Sequence, residues 1–196
     1  MSDEQAVFTE PLAAACAVVE RVPHIFSAET RVAIIGDGKL GLLCAQALAA
    51  LTPVAVTLVG KHRDKLQLAE RRGIETIELA ALKAPRWRRA FDVVVEASGS
   101  ATGFKTALDL LRPRGTMVLK STFHGATEIN AAPIVVDEIS IVGSRCGRFQ
   151  PALDLLSRNR VDVESLITEV FPLDQGLCAM RRAAEPGVLK ILLNMH

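Results

Sequence analysis

The sequence predicts an α/β fold with a doubly wound, six-stranded parallel sheet, and three observations lead to this prediction. Segments of strand length alternate with segments of helix length along most of the chain. The strand segments are continuous apolar runs, which is typical of a parallel sheet covered by helices on both faces. A glycine-rich turn follows the first of these strands and opens a helix. Repeated strand–helix units of this length build doubly wound sheets.

The individual elements follow from the apolar runs and from the residues that end them. The predicted strands of the sheet are residues 31–35, 55–59, 75–79, 91–99, 116–121 and 139–144. The predicted helices between them are residues 39–51, 64–72 and 101–111. The third strand is short and edge-like, and the segment RPRG is expected to stop the third helix.

The two ends of the chain fit this alternation less well. A helix is predicted at residues 10–22, before the first strand. Near the C-terminus a helix at 174–184 separates two apolar strands, at 166–173 and 188–193. Because these elements lie outside the six-strand series, they are expected to belong partly to another structural unit.

Composition and charge narrow the classes of function. The 196 residues are 49% hydrophobic and 23% charged, as in an ordinary globular domain, and a net charge of +1 predicts no general attraction to nucleic acid or membranes. The apolar stretch at residues 40–59 contains Gln46 and Pro53, which argues against a membrane span. No secretory signal is recognisable at the N-terminus, and the four cysteines are scattered, so a cytoplasmic protein with reduced thiols and no zinc site is expected.

The turn IIGDGKLG has the spacing G-x-G-x-x-G between a strand and a helix, which is the context that makes this motif informative. Gly36 permits the tight turn, Gly38 lets a pyrophosphate approach the backbone, and Gly41 lets the helix pack closely. The first N–H groups of the helix would then face the phosphates. The remaining residues of the turn are included in the predicted dinucleotide site: Asp37, Lys39 and Leu40.

The tip of the second strand predicts which dinucleotide binds. An acid that holds the adenosine ribose is expected about 20 residues after the last glycine of the motif, and Gly60 occupies that position. Without a carboxylate there, Lys61, His62 and Arg63 could bind a 2′-phosphate, so NADP(H) is favoured over NAD(H). The alternative is a solvated basic loop, with NAD(H) bound weakly or either cofactor accepted.

Several segments together resemble the zinc-type alcohol dehydrogenases of the medium-chain dehydrogenase/reductase superfamily. These segments are FTEPLAAACAVVERV, VAIIGDGKLGLLCAQALA, FDVVVEASGS, LRPRGTMVLKST and EISIVGSRCGRF. The similarity extends over nearly the whole chain and is greatest to the threonine, sorbitol and glucose dehydrogenases. It implies an NAD(P)-dependent oxidoreductase that acts on CH–OH groups, with the cofactor lying across the carboxyl ends of the strands of a Rossmann fold.

The resemblance also implies cofactor contacts at three strand ends, where open α/β sheets bind ligands. The end of the fourth strand would pass close to the cofactor with Ala97, Ser98 and Gly99. The end of the fifth strand would lie near the nicotinamide with Lys120, Ser121 and Thr122. The sixth strand would border the carboxamide with Val142, Gly143 and Ser144, and Arg145 would face the cleft or the pyrophosphate. The alternative for each of these residues is an ordinary loop position.

The chain departs from this family in one respect. Family members begin with a GroES-like catalytic domain that carries the zinc ligands, and this sequence has no counterpart of it. The division that follows is a segment leading from that domain (1–22), a Rossmann cofactor-binding domain (23–165) and a strand–helix–strand segment returning to it (166–196). Glu10, which lies near the zinc in some relatives, is interpreted here as an acid at a helix N-terminus. His24 and His124 have no metal-ligand partners nearby in the sequence.

Two functions remain open at this point. Hydride transfer would require a separate zinc-bearing catalytic domain, whereas a non-catalytic NADP(H)-binding module or sensor would not. A methyltransferase is a weaker alternative, because it too needs an acid where Gly60 stands. A homodimer is expected through the edge of the sixth strand, since that segment is apolar and relatives pair there.

Overall fold

The computed structural model describes residues 1–122 and 128–195. Six strands form one parallel sheet in the order β3-β2-β1-β4-β5-β6, which confirms the predicted fold. The strands are β1 (Arg31–Ile35), β2 (Ala55–Gly60), β3 (Glu75–Glu78), β4 (Phe91–Glu96), β5 (Leu111–Leu119) and β6 (Ser140–Gly143). Strand β1 is central, with β2 on one side and β4 on the other. The chain therefore reverses its direction of travel across the sheet at β1, which creates a crevice at the carboxyl ends of the strands.

Eight α-helices accompany the strands in the described part of the chain. They are α1 (Asp3–Ala6), α2 (Thr9–Arg21), α3 (Lys39–Leu51), α4 (Arg63–Glu70), α5 (Gly103–Leu110), α6 (Ala132–Val136), α7 (Phe149–Ser157) and α8 (Gly176–Ala183). Short 3-10 turns add the segments Pro23–Ile25, Leu79–Lys83, Pro85–Trp87, Glu164–Leu166 and Leu173–Gln175. The predicted helix at 39–51 is observed with the same bounds.

Two apolar clusters cover the two faces of the sheet. The larger joins α2, α3 and α7 to one face, with Leu12, Leu43 and Leu155 among its members. The smaller covers the other face and includes Phe104, Ala107 and other residues of α5. Burial on both faces explains why β1 and β4 are continuous apolar runs, since side chains point alternately to each face.

Helix α2 is part of the larger cluster. Leu12, Ala15 and Cys16 are fully buried, and the preceding Phe8 is buried with them. A Cβ at Gly147 would approach the carbonyl oxygen of Ala13 to 2.0 Å, so the segment before α7 packs directly on the helix backbone. Helix α2 thus packs on the same face of the sheet as α3 and α7.

The C-terminal strands form a small sheet of their own. Strand β7 (Glu169–Pro172) pairs in parallel with β8 (Ile191–Asn194), and α8 connects them. Both strands lie at the segments predicted from the sequence, 166–173 and 188–193, and β8 ends one residue beyond the second. Leu192 is buried, whereas Leu193 is 44% exposed. The parallel pairing satisfies one edge of each strand within the chain.

The third predicted helix ends just before the segment RPRG, as the sequence predicts, but a strand begins earlier than predicted. Helix α5 ends at Leu110, and β5 begins at once and runs through this segment, with a register shift against β4 between Phe91 and Val93. Arg112 Nε donates to Asp92 Oδ1 at 2.5 Å, which ties the irregular start of β5 to β4. Arg114 takes a positive φ of 62° beside this shift. The pairs of β4 with β5 pass from Phe91–Leu111 directly to Val93–Thr116, so RPRG lies between them as a bulge, in keeping with the turn that its local sequence indicates.

Candidate functional site

The glycine loop between β1 and α3 is packed by contacts that only glycine permits. Gly36 has φ +118°, and its N–H donates to the carbonyl oxygen of Val59 at 2.9 Å. A Cβ at Gly41 would lie 1.8 Å from the carbonyl oxygen of Gly36. A Cβ at Gly38, in contrast, would have nothing within 4 Å. Two glycines therefore close the turn, and the third leaves open space above the backbone.

The N-terminus of α3 faces this space. Gly38 is the N-cap residue, and no side chain caps the first turn. Uncapped N–H groups and the helix dipole make this end of the helix a suitable place for an anion. Lys39 adds a cation at the first helical position, and burial lowers its pKa, as does nearby Lys190, while Glu10 opposes the change. The open space above Gly38 and the uncapped helix fit a pyrophosphate, as a dinucleotide site requires.

The tip of β2 holds a carboxylate that the sequence did not predict there. Asp37, from the glycine loop, accepts three hydrogen bonds at Oδ2: from Lys61 N at 2.6 Å, from His62 N at 2.6 Å and from His62 Nδ1 at 3.0 Å. Burial raises the pKa of this carboxyl, but the backbone bonds from His62 and Lys61, with the ring and charge of His62, outweigh burial and lower the pKa. Asp37 is therefore ionised at neutral pH.

The same contact explains why Gly60 lacks a side chain. A Cβ at Gly60 would lie 2.6 Å from the Cβ and 2.7 Å from Oδ2 of Asp37. Gly60 has no positive φ, so space rather than backbone conformation requires glycine. The premise that this place lacks a carboxylate is wrong, because Asp37 reaches it from the neighbouring strand. Register explains the reach, since Ile35 pairs with Val59 and both strands end side by side.

Two of the three predicted phosphate-binding bases pair with carboxylates of the chain. Arg63 forms a two-point ion pair with Glu70, of which the NH2–Oε2 contact measures 3.1 Å. His62 contacts Asp37. The Lys61 side chain is exposed and has no hydrogen bond or ion pair among the described residues. Whether these bases bind a 2′-phosphate stays a prediction.

The end of β4 carries a compact set of polar contacts. The buried Glu96 accepts at Oε1 from Ser98 N at 2.9 Å and from Ser98 Oγ at 2.5 Å. Gly99, with φ +63°, donates its N–H to Ser121 Oγ at 2.7 Å. Ala97 lies against the glycine loop, since a Cβ at Gly36 would come within 2.6 Å of its carbonyl oxygen. These residues close the wall of the crevice opposite β2.

The ends of β5 and β6 are joined by a buried lysine. Lys120 Nζ donates to the carbonyl oxygen of Arg145 at 2.7 Å and to Ser144 Oγ at 3.3 Å. Burial lowers the pKa of this ammonium. Thr122 and Gly143 are exposed beside them. The lysine predicted near the nicotinamide thus uses its charge to join two strand ends, and cofactor contacts by these residues stay predictions.

The loop and the strand tips enclose a cleft of about 250 Å³. Of the predicted residues it brings together Gly36, Asp37, Gly38, Gly60, Lys61, His62, Ala97 and Ser98. It does not include the predicted residues at the ends of β5 and β6. A larger depression of about 640 Å³ lies beside α5, away from the glycine loop.

Several residues that line this cleft were not predicted from the sequence. The missed residues that line the cleft are Ile35, Val59, Leu79, Ser100, Thr102, Gly103 and Thr106. The segment SGSATG after β4 offered a signal, because it follows the carboxyl end of a central strand, where open α/β sheets bind ligands. A Cβ at Gly103 would meet Glu96 Oε1 at 2.2 Å, so this glycine is required by the polar contacts at the end of β4.

The side chains of the described residues do not fit a zinc site. No group of three or more His, Cys, Asp or Glu side chains able to hold a metal occurs within residues 1–122 and 128–195. Cys16 and Cys44 are buried free thiols, and Cys146 and Cys178 are exposed ones. Glu10 lies in the first turn of α2. His124 lies outside the described residues.

None of the helices in the described part of the chain has both the length and the apolar character needed to cross a bilayer.

The strand order and the glycine loop at the reversal point define a Rossmann-type α/β domain. The family model for zinc-binding dehydrogenases matches residues 40–158, which is more than half of the chain. The chain therefore belongs to the zinc-binding dehydrogenase family, as the sequence resemblance predicted.

Individual relatives agree with this assignment. A sorbitol dehydrogenase of Halalkalibacterium halodurans is 28% identical over 98% of this chain and 59% of its own length. A Sinorhizobium meliloti protein assigned as a zinc-binding dehydrogenase and bound to NADP superposes with a TM-score of 0.83 at 27% identity, covering 96% of this chain and 58% of the other. A short chain alcohol dehydrogenase of Escherichia coli CFT073 complexed with NADH shares the fold, with a TM-score of 0.85 at 22% identity, over 99% and 60%. The chain thus spans about three fifths of the length of these relatives.

Proposed function

We propose that this chain is the nicotinamide-dinucleotide-binding part of a dehydrogenase that acts on CH–OH groups. The observation that supports it best is the open space above Gly38 at the uncapped start of α3. Pyrophosphate binding requires a backbone with no side chain in the way, and the backbone at Gly38 meets this requirement. Relatives bound to NADP and NADH, and a relative named a sorbitol dehydrogenase, support the same class of cofactor and reaction.

In this proposal the chain binds and orients the cofactor. When bound, the nicotinamide accepts or donates a hydride. The N–H groups at the start of α3, with Lys39, hold the pyrophosphate. The cleft between β2 and β4 holds the adenosine end, and the ends of β5 and β6 lie on the side of the nicotinamide.

Hydride transfer is proposed to need a separate zinc-bearing catalytic domain. The described residues supply no set of metal ligands. The domain division at residues 22 and 165 belongs to this proposal, with residues 166–196 next to that domain. The second candidate, a non-catalytic dinucleotide-binding module or sensor, is favoured by the same lack of ligands.

The sequence-based preference for NADP(H) depended on two features at the tip of β2, and one of them is lost in the structure. Its first support is the basic residues at 61–63, of which Lys61 remains without a partner among the described residues. Its second was the absence of a carboxylate, and Asp37 fills that place. The choice between the dinucleotides therefore depends on whether the Asp37 carboxylate contacts the adenosine ribose.

Fluorescence titration tests the proposed function. We expect NADH emission to change on binding and ADP-ribose to displace it, because the adenosine and pyrophosphate subsites lie within this chain. Nicotinamide mononucleotide alone should displace it poorly. A flat titration with both NADH and NADPH would contradict the proposal. Turnover of sorbitol by the chain with added zinc would contradict the need for a separate catalytic domain.

We also propose a homodimer through the outer edge of β6, as the sequence predicts. Ile141 on this strand is 37% exposed, and Val135 and Val136 of α6 nearby in the chain are 76% and 78% exposed. Ile141→Lys should shift sedimentation toward a 21 kDa monomer, whereas Leu177→Lys on α8 should not. A dimer that resists the first change and dissociates with the second would place the interface elsewhere.

A cytoplasmic location completes the proposal, supported by four cysteines that are all free thiols.

A further inference from the structure

We propose that Asp37 supplies the ribose-site carboxylate of this chain and selects NAD(H) over NADP(H). The inference rests on the proposed function, since it concerns the adenosine end of the same cleft. It reverses the preference that the sequence at residues 60–63 predicts.

Asp37 occupies the donors that a 2′-phosphate would need. A phosphate at the tip of β2 would bind the backbone N–H groups that begin the following loop. In the structure both N–H groups, of Lys61 and His62, donate to Asp37 Oδ2 at 2.6 Å. The carboxylate thus stands where the phosphate oxygens would be. A second anion there would lose these donors and be repelled by the first.

Asp37 and Gly60 form a matched pair. The missing side chain at residue 60 provides the space for the carboxylate, since a Cβ there would lie within 2.8 Å of three Asp37 atoms. The carboxylate at the tip of β2 therefore comes from the glycine loop after β1, and not from the position about 20 residues beyond the motif where an acid is expected. A Gly60→Asp change would displace Asp37, so it is a poor test of cofactor choice.

Most of the positive charge in the loop is already neutralised. The guanidinium of Arg63 pairs with Glu70. The imidazole of His62 contacts Asp37 Oδ2. Among the described residues, only the exposed ammonium of Lys61 is left to attract a 2′-phosphate from this loop, and an exposed charge contributes little in water.

The second oxygen of Asp37 fits a ribose hydroxyl. Oδ1 accepts no hydrogen bond from the described residues. It is also not one of the fully buried side-chain atoms without a hydrogen-bond partner among these residues, so solvent reaches it. Asp37 also lines the cleft together with Gly60 and Gly38. An ionised carboxylate oxygen that faces a cleft accepts a bond from a 2′-hydroxyl and opposes a 2′-phosphate. NAD(H) carries the hydroxyl and NADP(H) the phosphate.

The experiment compares two small probes that differ at this position, 5′-AMP and adenosine 2′,5′-bisphosphate, together with NADH and NADPH. Affinities are measured by calorimetry on the unmodified chain, on Asp37→Asn and on Asp37→Ser. Asp37→Asn keeps the shape and removes the charge. Asp37→Ser also frees the two N–H groups. Asp64→Asn, an exposed change of the same charge in the same segment, is the control.

We expect the unmodified chain and the control to bind NADH and 5′-AMP at least about tenfold more tightly than the 2′-phosphorylated partners. Asp37→Asn should remove most of this ratio, and Asp37→Ser should reverse it. Circular dichroism and urea unfolding verify that each variant is folded, and if Asp37→Ser is not, the Asn variant decides. A preference for NADPH in the unmodified chain, or a ratio unchanged in a folded Asp37 variant, would overturn the inference while leaving the proposed function intact. Failure of all four probes to bind would overturn both.

Discussion

Two sides of the same crevice are built in opposite ways. The loop side, residues 36–41 and 60–62, consists mainly of backbone, with glycines that leave space above it and an uncapped helix start. The strand-end side, residues 96–99, 119–121 and 143–145, consists of side chains bonded to the chain itself, as with Lys120 and Arg145. The first side offers unused donors, whereas the second has used its polar groups to hold strand ends together.

This difference indicates which side of the crevice contributes more to the affinity for the cofactor. A site made of backbone is complete once the sheet has formed, because it needs no partner to orient it. The strand-end side offers little that faces outward from the described residues. We therefore expect most of the measurable affinity of this chain to come from the adenosine and pyrophosphate end of the cofactor.

The largest expected effect is on the loop side. Gly41→Ala places a methyl group 1.8 Å from the carbonyl oxygen of Gly36, where neither backbone segment can yield without moving α3 from β1. The free energy of unfolding should fall by at least about 3 kcal/mol, measured by urea denaturation. A loss below about 1 kcal/mol would mean that the loop is not held as described.

The next largest effect is expected on the strand-end side, where a change should lower stability and leave affinity unchanged. Lys120→Met removes the donor to the Arg145 carbonyl, but it also relieves the burial of a charge, so the net loss of stability should be about 1–2 kcal/mol. ADP-ribose affinity should not change. The exposed Lys105→Met serves as control and should alter stability by less than about 0.5 kcal/mol. An affinity loss in Lys120→Met alone would assign this lysine to the ligand.

Gly38→Ala separates binding from folding on the loop side. Its Cβ meets nothing within 4 Å, so stability should change by less than about 1 kcal/mol. The methyl group would enter the space proposed for the pyrophosphate, and ADP-ribose affinity should fall at least about tenfold in calorimetry. Unchanged affinity would place the pyrophosphate elsewhere.

The smallest expected effect is a pH dependence. The pKa of Asp37 is lowered in the folded chain, so its stabilisation is complete above the ordinary carboxyl pKa of about 3.9 and is lost as the pH falls below it. The stability difference between the unmodified chain and Asp37→Asn should therefore be present at pH 5 and shrink toward pH 3. Urea unfolding across this range measures it, and a difference that grows between pH 5 and pH 3 would contradict the assignment.

The sequence was sufficient for most of the fold and for the glycine loop. The bounds of β1 and α3 agree residue for residue with the prediction, because their apolar periodicity and the glycines between them are local signals. The segment RPRG ends the preceding helix as predicted, but the sequence did not show that β5 begins before this segment, because the Phe91–Leu111 pair that precedes the bulge is a contact between distant parts of the chain. The sequence did not show that α2 packs in the core, because the residues that bury it come from α3 and α7, far along the chain.

By itself the sequence determined the order of the six strands along the chain, the motif at the first turn and the family to which the chain belongs. Only the tertiary structure decided which residue provides the acid at the tip of β2. Counting residues from the glycine motif to the end of the second strand leads to Gly60, which has no side chain. The register of β1 against β2 brings Asp37 into that space from a separate segment, and no local pattern records a contact between two strand ends.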